Sequence, residues 1–296
     1  MMRKKLGFSA LFIFLAISSS RVEADDFFQG KLSNRYKLRA TGSASDQRWE
    51  TVATLDFGHP DRDKISGGIQ GGGIFTLAGP SGGSTFSGIY DTFGSRAIGR
   101  LYYGYVDVKD LGPVKGLRAG RQNRYEFESL YYDGATLESG SFHGLSLTAY
   151  GGVPVHLFES QFGFTVGDWL AGGALDWAPD PRVKSRFDVV HLRDKQAGFR
   201  ASTGHLEDTL FGGSLWFDPV SSLSLFSRFT SFYDQVRDLT FSSTLRVPEK
   251  DFTFRFNFYR LLQGYDIRVL ELDAYSLAGT YQPYTEFGWS ATKGWG

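Results

Sequence analysis

Arg118, Arg186, Arg228, Arg246 and Arg255, with Asp168, Asp176, Asp188 and Asp238, are the side chains of this 296-residue chain best suited by type and spacing to act on a solute. They fall on the polar sides of segments in which polar and apolar residues alternate, so their charged groups would share one surface. Gln122 and Asn257 add neutral donors and acceptors to the same surface. Cations and carboxylates opposed across an aqueous passage create a transverse field that orients or selects charged solutes. The same charges can also merely neutralise one another as a structural girdle, and the sequence leaves both roles open. Arg118, Gln122 and Arg124 form a tighter cluster, with Arg121 on the other face or in a loop. That cluster can draw anions inward or pair with Glu126 and Glu128.

Other chemistry finds little footing. His59, His143, His156, His191 and His205 are scattered without H-E-x-x-H spacing, and no G-x-S-x-G elbow is present. Ser141 and His143 are the only tempting nucleophile and base, and a serine two residues from a histidine at a short turn is ordinary turn chemistry. No catalytic residue is therefore assigned. Cysteine is absent, which excludes disulfides, thiolate metal sites and haem attached through C-x-x-C-H. No metal site and no cofactor is expected. Gly67, Gly68 and Gly71 to Gly73 are not a phosphate cradle, since no Gly-Lys-Ser/Thr follows; they read as a strand bent to fit a wall.

The elements that must position these residues are strands. Sixteen per cent of the chain is aromatic and 37 residues are glycine against two methionines, a mixture that favours strands over helices. Phe252, Phe254, Phe256 and Phe258 alternate with Thr253, Arg255, Asn257 and Tyr259. Leu239, Phe241, Ser243, Leu245 and Val247 alternate with Asp238, Thr240, Ser242, Thr244 and Arg246, and Pro248-Glu249-Lys250 is the turn between the two runs. Similar period-two segments span residues 48–57, 143–151, 169–177 and 221–231.

The amino terminus reads as an export signal: Arg3, Lys4 and Lys5, an apolar run from Leu6 to Ile17, and a small-residue site at Val22-Glu23-Ala24. The domain division is thus a signal peptide over residues 1–24 and a β-barrel over 25–296. Cleavage removes four basic residues (Arg3, Lys4, Lys5, Arg21) and one acid (Glu23), leaving 28 basic against 31 acidic residues and a net charge of −3. Such a balance offers no footprint for nucleic acid.

Alternation also suits a soluble sandwich, and three features favour a membrane wall instead. Trp169 and Trp177 close the two ends of one apolar face, and eight residues at ~3.3 Å each, tilted near ~40°, span roughly 20 Å, close to the ~25 Å apolar band between aromatic girdles. Short turns at 59–63, 109–113, 139–142, 178–181, 218–221, 248–250 and 282–283 alternate with longer connections such as 78–96, 152–166 and 194–204. The third feature is the export signal. The fold class expected is all-β: a transmembrane antiparallel up-and-down β-barrel of about 14 to 16 strands. Counting from Gln29 gives about fifteen strands, the last (Thr285 to Ala291) ending outside; bacterial barrels normally hold an even number, so either this count is off by one or a final strand is missing. The connection opened by Gly79-Pro80-Ser81-Gly82-Gly83-Ser84-Thr85 either folds inward as a constriction or stays an exposed loop.

Leu117-Arg118-Ala119-Gly120-Arg121-Gln122, followed by Leu130-Tyr131-Tyr132-Asp133-Gly134-Ala135, resembles the porin-like barrels of Gram-negative outer membranes, which often carry a strand ending in Gly-Arg-Gln and then a Tyr/Phe-Asp-Gly strand. The resemblance covers about twenty residues and implies a passive or weakly selective channel, naming no substrate. The ending Thr292-Lys293-Gly294-Trp295-Gly296 lacks the terminal phenylalanine usual in such barrels. The function expected is an outer-membrane channel for passive diffusion of small polar solutes or ions. A structural sleeve for another exported protein is the alternative, and a barrel enzyme the least favoured reading. The partners expected are outer-membrane lipid, those solutes, the barrel assembly machinery, and a homo-oligomer or exported partner.

Overall fold

A computed structural model describes residues 14–25, 27–41, 44–78, 96–125, 129–155, 167–193, 207–232, 235–262, 265–266, 280–281 and 283–294. β1 (Phe14–Asp25), β2 (Phe28–Thr41), β3 (Ala44–Phe57), β4 (Ile65–Ala78) and β5 (Ala97–Leu111) come first. β6 (Val114–Tyr125), β7 (Ser129–Ser139), β8 (Leu145–Pro154), β9 (Trp169–Asp180) and β10 (Val183–Arg193) follow. After β11 (Glu207–Val220), β12 (Leu223–Phe232), β13 (Gln235–Val247) and β14 (Phe252–Leu261) come two short pieces, β15 (Tyr265–Asp266) and β16 (Thr280–Tyr281), and then β17 (Tyr284–Lys293). Fifteen of these form one sheet in chain order, from β1 through β14 to β17, while β15 and β16 pair only with each other. The sheet is an antiparallel up-and-down meander, and its order is open, with β1 at one edge and β17 at the other. The chain divides into two compact units, with the boundary inside β5 between Asp107 and Val108.

Along the meander the connections 58–64, 112–113, 140–144, 181–182, 221–222 and 248–251 fall at one end of the strands. The connections 79–96, 155–168, 194–206 and 262–283 fall at the other. The turn at Gln282-Pro283 belongs to the long-connection end, and β17 runs back to the short-turn end, where the Gly294 amide donates to the Asp251 carbonyl. β15 and β16 form a two-residue ladder apart from the large sheet. Starting at β2, the sheet therefore has fourteen strands, the fifteenth being β1. β1 overlaps the expected export signal and pairs along β2 from Phe14 opposite Leu38 to Asp25 opposite Phe28. The loop at residues 79–85 and the acids Glu126 and Glu128 lie outside the described residues.

Period two sorts most side chains in both units. In the first, Asp46 and Arg48 on β3 are buried while Trp49 and Leu55 are exposed, and Ile69, Phe75 and Leu77 on β4 are exposed. In the second, Gln122, Thr136, Asp188, Thr230 and Asp238 are buried whereas Leu137, Leu147, Leu175, Phe187, Leu215 and Phe241 are exposed. A soluble sandwich does the opposite, hiding its apolar face and wetting its polar one.

The second unit also has an apolar cluster on its polar face toward the long-connection end, built from Leu130, Tyr132, Tyr150, Leu170, Val190, Leu192 and Leu210. Tyr150 lies across Gly172, where an added Cβ would sit 2.6 Å from the ring, and its hydroxyl donates to the Val189 carbonyl at 3.5 Å. A large ring thus covers the strip that glycine leaves bare. At Gly67 an added Cβ would meet the Tyr105 carbonyl oxygen as well as the Phe57 ring, at 2.6 Å from the ring. The ladder of β4 with β3 is unbroken from Thr76 through Gly67, and an added Cβ would meet the Tyr102 ring at 3.0 Å from Gly72 and the Phe75 ring at 2.9 Å from Gly73.

Candidate functional site

The register of β9 to β14 and β17 lays the polar face out in rows. One row runs Asp176, Arg186, Ser214, Arg228, Thr240, Tyr259, Glu286. The row toward the long connections runs Ala174, Asp188, Gly212, Thr230, Asp238, Leu261, Tyr284. The row toward the short turns runs Lys184, Trp216, Phe226, Ser242, Asn257, Gly288. Arg255 lies one row lower, between Thr244 and Ser290, and Arg246 lower still, opposite Thr253. The structure thus sets Asp176, Arg186, Asp188, Arg228, Asp238, Arg246, Arg255 and Asn257 on one face. Asp168, buried just before β9, shares the parity of Asp176. Arg118 and Gln122 stand on β6 opposite Thr136 and Tyr132.

Several of these groups are held rigidly. The Arg186 guanidinium donates Nη1 to Asp176 Oδ2 at 2.9 Å and grips Asp188 with Nε at 2.7 Å and Nη2 at 3.0 Å. Bidentate geometry of this kind fixes both partners. Asp238 Oδ2 accepts from the Thr230 hydroxyl at 2.6 Å and from Arg237 Nε at 2.8 Å. Arg237 reaches this face because the β12–β13 register shifts at Thr230/Ser231. Strict alternation cannot reveal such a bulge, and by period two Arg237 would fall on the face opposite Asp238. Gln122 is 4% exposed; its amide donates to the Gly134 carbonyl at 3.1 Å and accepts from the Thr136 hydroxyl at 2.8 Å. Its groups serve the wall itself.

The two halves of the motif pair lie side by side: Gly120 faces Gly134, Arg121 faces Asp133 and Gln122 faces Tyr132. Arg121 projects from the side opposite Gln122 and grips Asp133 with Nε at 2.7 Å and Nη2 at 2.6 Å, so it is no part of the basic cluster. Arg124 stays on the Gln122 side, its guanidinium 4.5 Å from the centre of the Tyr150 ring.

The first unit carries charge that sequence reasoning did not single out. On β2 and β3, Arg39 and Arg48 both bind Asp46, and Arg35 pairs with Glu50. The signal was legible: Lys31, Ser33, Arg35, Lys37 and Arg39 recur every second residue.

Trp169 and Trp177 share the apolar face of β9, 39% and 47% exposed. His143 sits at φ 50° in an exposed turn with its ring edge-on to Phe142 at 4.3 Å. Among the described residues no group of three or more His, Asp or Glu is arranged to hold a metal ion, and no helix is long and apolar enough to cross a membrane. Compared with known proteins, the chain matches no family model and no curated sequence.

Proposed function

We propose that the chain, once residues 1–24 are removed, closes as a fourteen-stranded β-barrel in the outer membrane and forms an aqueous pore for small polar solutes or ions. One observation carries this reading: the apolar face of the sheet is exposed and the charged face is hydrogen-bonded. A wall with its greasy side outward and its ion pairs inward suits lipid on one side and water on the other. Closure leaves no edge amide facing hydrocarbon.

Strand parity supports the same view. With β1 present, the edge strands of a fifteen-stranded meander run parallel to each other. Loss of residues 1–24 takes away β1 and leaves β2 and β17 as edges of an even set, running antiparallel and free to pair. Strands of 10 to 15 residues are long enough to cross the bilayer at a tilt.

Residues 25–296, refolded and added to a planar lipid bilayer, are expected to give discrete, repeatable current steps. Folded, inserted protein that stays silent would contradict the pore. A partner that co-purifies with such silent protein would replace the channel by a sleeve.

A further inference from the structure

We propose that Arg246 and Arg255 form a docking site for phosphate-class oxyanions on the polar face of β13, β14 and β17, near the short-turn end. This rests on the reading of that face as water-lined. The arginines of the face differ in what engages them. Arg186 is committed to Asp176 and Asp188, and Arg237 to Asp238. Arg246 and Arg255 are exposed and have no carboxylate partner among the described residues.

Their neighbours are hydroxyls. Arg255 stands between Thr244 and Ser290, and Arg246 is opposite Thr253, beyond which lies Thr292. Because Thr253 is two residues from Arg255, the two arginines are diagonal neighbours, with Cα atoms about 7–8 Å apart. At that spacing two long guanidinium forks can converge on a single tetrahedral oxyanion while threonine and serine hydroxyls donate to its remaining oxygens. The nearest acids in the strands and turn do not block the pair. Glu286 stands four residues beyond Ser290 on β17, roughly 13 Å along the strand. Glu249 and Asp251 belong to the turn, and the Asp251 carboxylate lies against Gly294. The result is an uncompensated basic pair in a field of hydroxyls, whereas β9 and β10 present a neutralised one.

The test is calorimetric titration of detergent-folded residues 25–296 with pyrophosphate and, separately, glycerol 3-phosphate. Three proteins are compared: the natural sequence, Arg246→Gln/Arg255→Gln, and Arg260→Gln, which removes a charge from the exposed opposite side of β14. Binding of either anion is expected, about tenfold weaker in the double variant from the loss of two charges at contact range, and unchanged in Arg260→Gln. Binding of neither, or equal weakening by Arg260→Gln, would overturn the site. Anion-to-cation permeability of the same proteins in a salt gradient should fall only in the double variant. Absence of any current would count against the pore alone, since the titration decides the site without conduction.

Discussion

Phe256→Arg is expected to lower the stability of the folded protein in lipid by about 2–4 kcal/mol, while Asn257→Arg, one residue along, is tolerated. Phe256 is at the middle of β14 on the apolar face, between Ser243 and Trp289, with its ring 6.3 Å from that of Phe241. In the proposed outer-membrane barrel a guanidinium there would enter hydrocarbon near its middle. Asn257 projects from the other side, between Ser242 and Gly288, where water can hydrate a charge. Equilibrium unfolding in urea from lipid vesicles measures both. Equal tolerance would show that the apolar face does not meet lipid.

Arg186→Ala should cost about 3 kcal/mol, because removing the arginine of a part-buried ionic set strands the buried Asp188. Asp188 is 3% exposed and would lose both its guanidinium contacts, leaving it to repel Asp176 across the β9–β10 pair. The exposed Arg35–Glu50 pair offers the contrast, since surface ion pairs contribute ~0–1 kcal/mol and the Arg35 side chain is 49% exposed. Unfolding midpoints of Arg186→Ala and Arg35→Ala, compared at the same lipid composition, check the ranking. A loss at Arg186 no larger than at Arg35 would mean that water already screens the Asp176–Arg186–Asp188 set.

Much of this wall was legible in the sequence because period two is geometry: once Phe252, Phe254 and Phe256 lie on one face, Arg255 and Asn257 must lie on the other. The β13–β14 hairpin turns at Pro248-Glu249-Lys250 as expected and pairs from Val247 opposite Phe252 to Asp238 opposite Leu261. What stayed hidden depends on pairing between strands. Arg237 reaches the polar face through a bulge. Gln122 is consumed by Thr136 and Gly134, contacts that only the β6–β7 register creates. Counted from β2 the large sheet holds fourteen strands where about fifteen were expected, and the short pieces Tyr265–Asp266 and Thr280–Tyr281 pair with each other in a separate sheet, a pairing that period two does not reveal.

The proposed pore depends on closure of β2 onto β17, and the lack of cysteine makes that step directly measurable. Ser33→Cys, combined in turn with Glu286→Cys, Gly288→Cys and Ser290→Cys, should yield an intramolecular disulfide for at least one pair when residues 25–296 are folded into lipid and oxidised. The same pair should fail to cross-link when residues 1–24 are retained and β1 occupies the edge of β2. Failure of every pair in the protein lacking residues 1–24 would contradict the closed barrel.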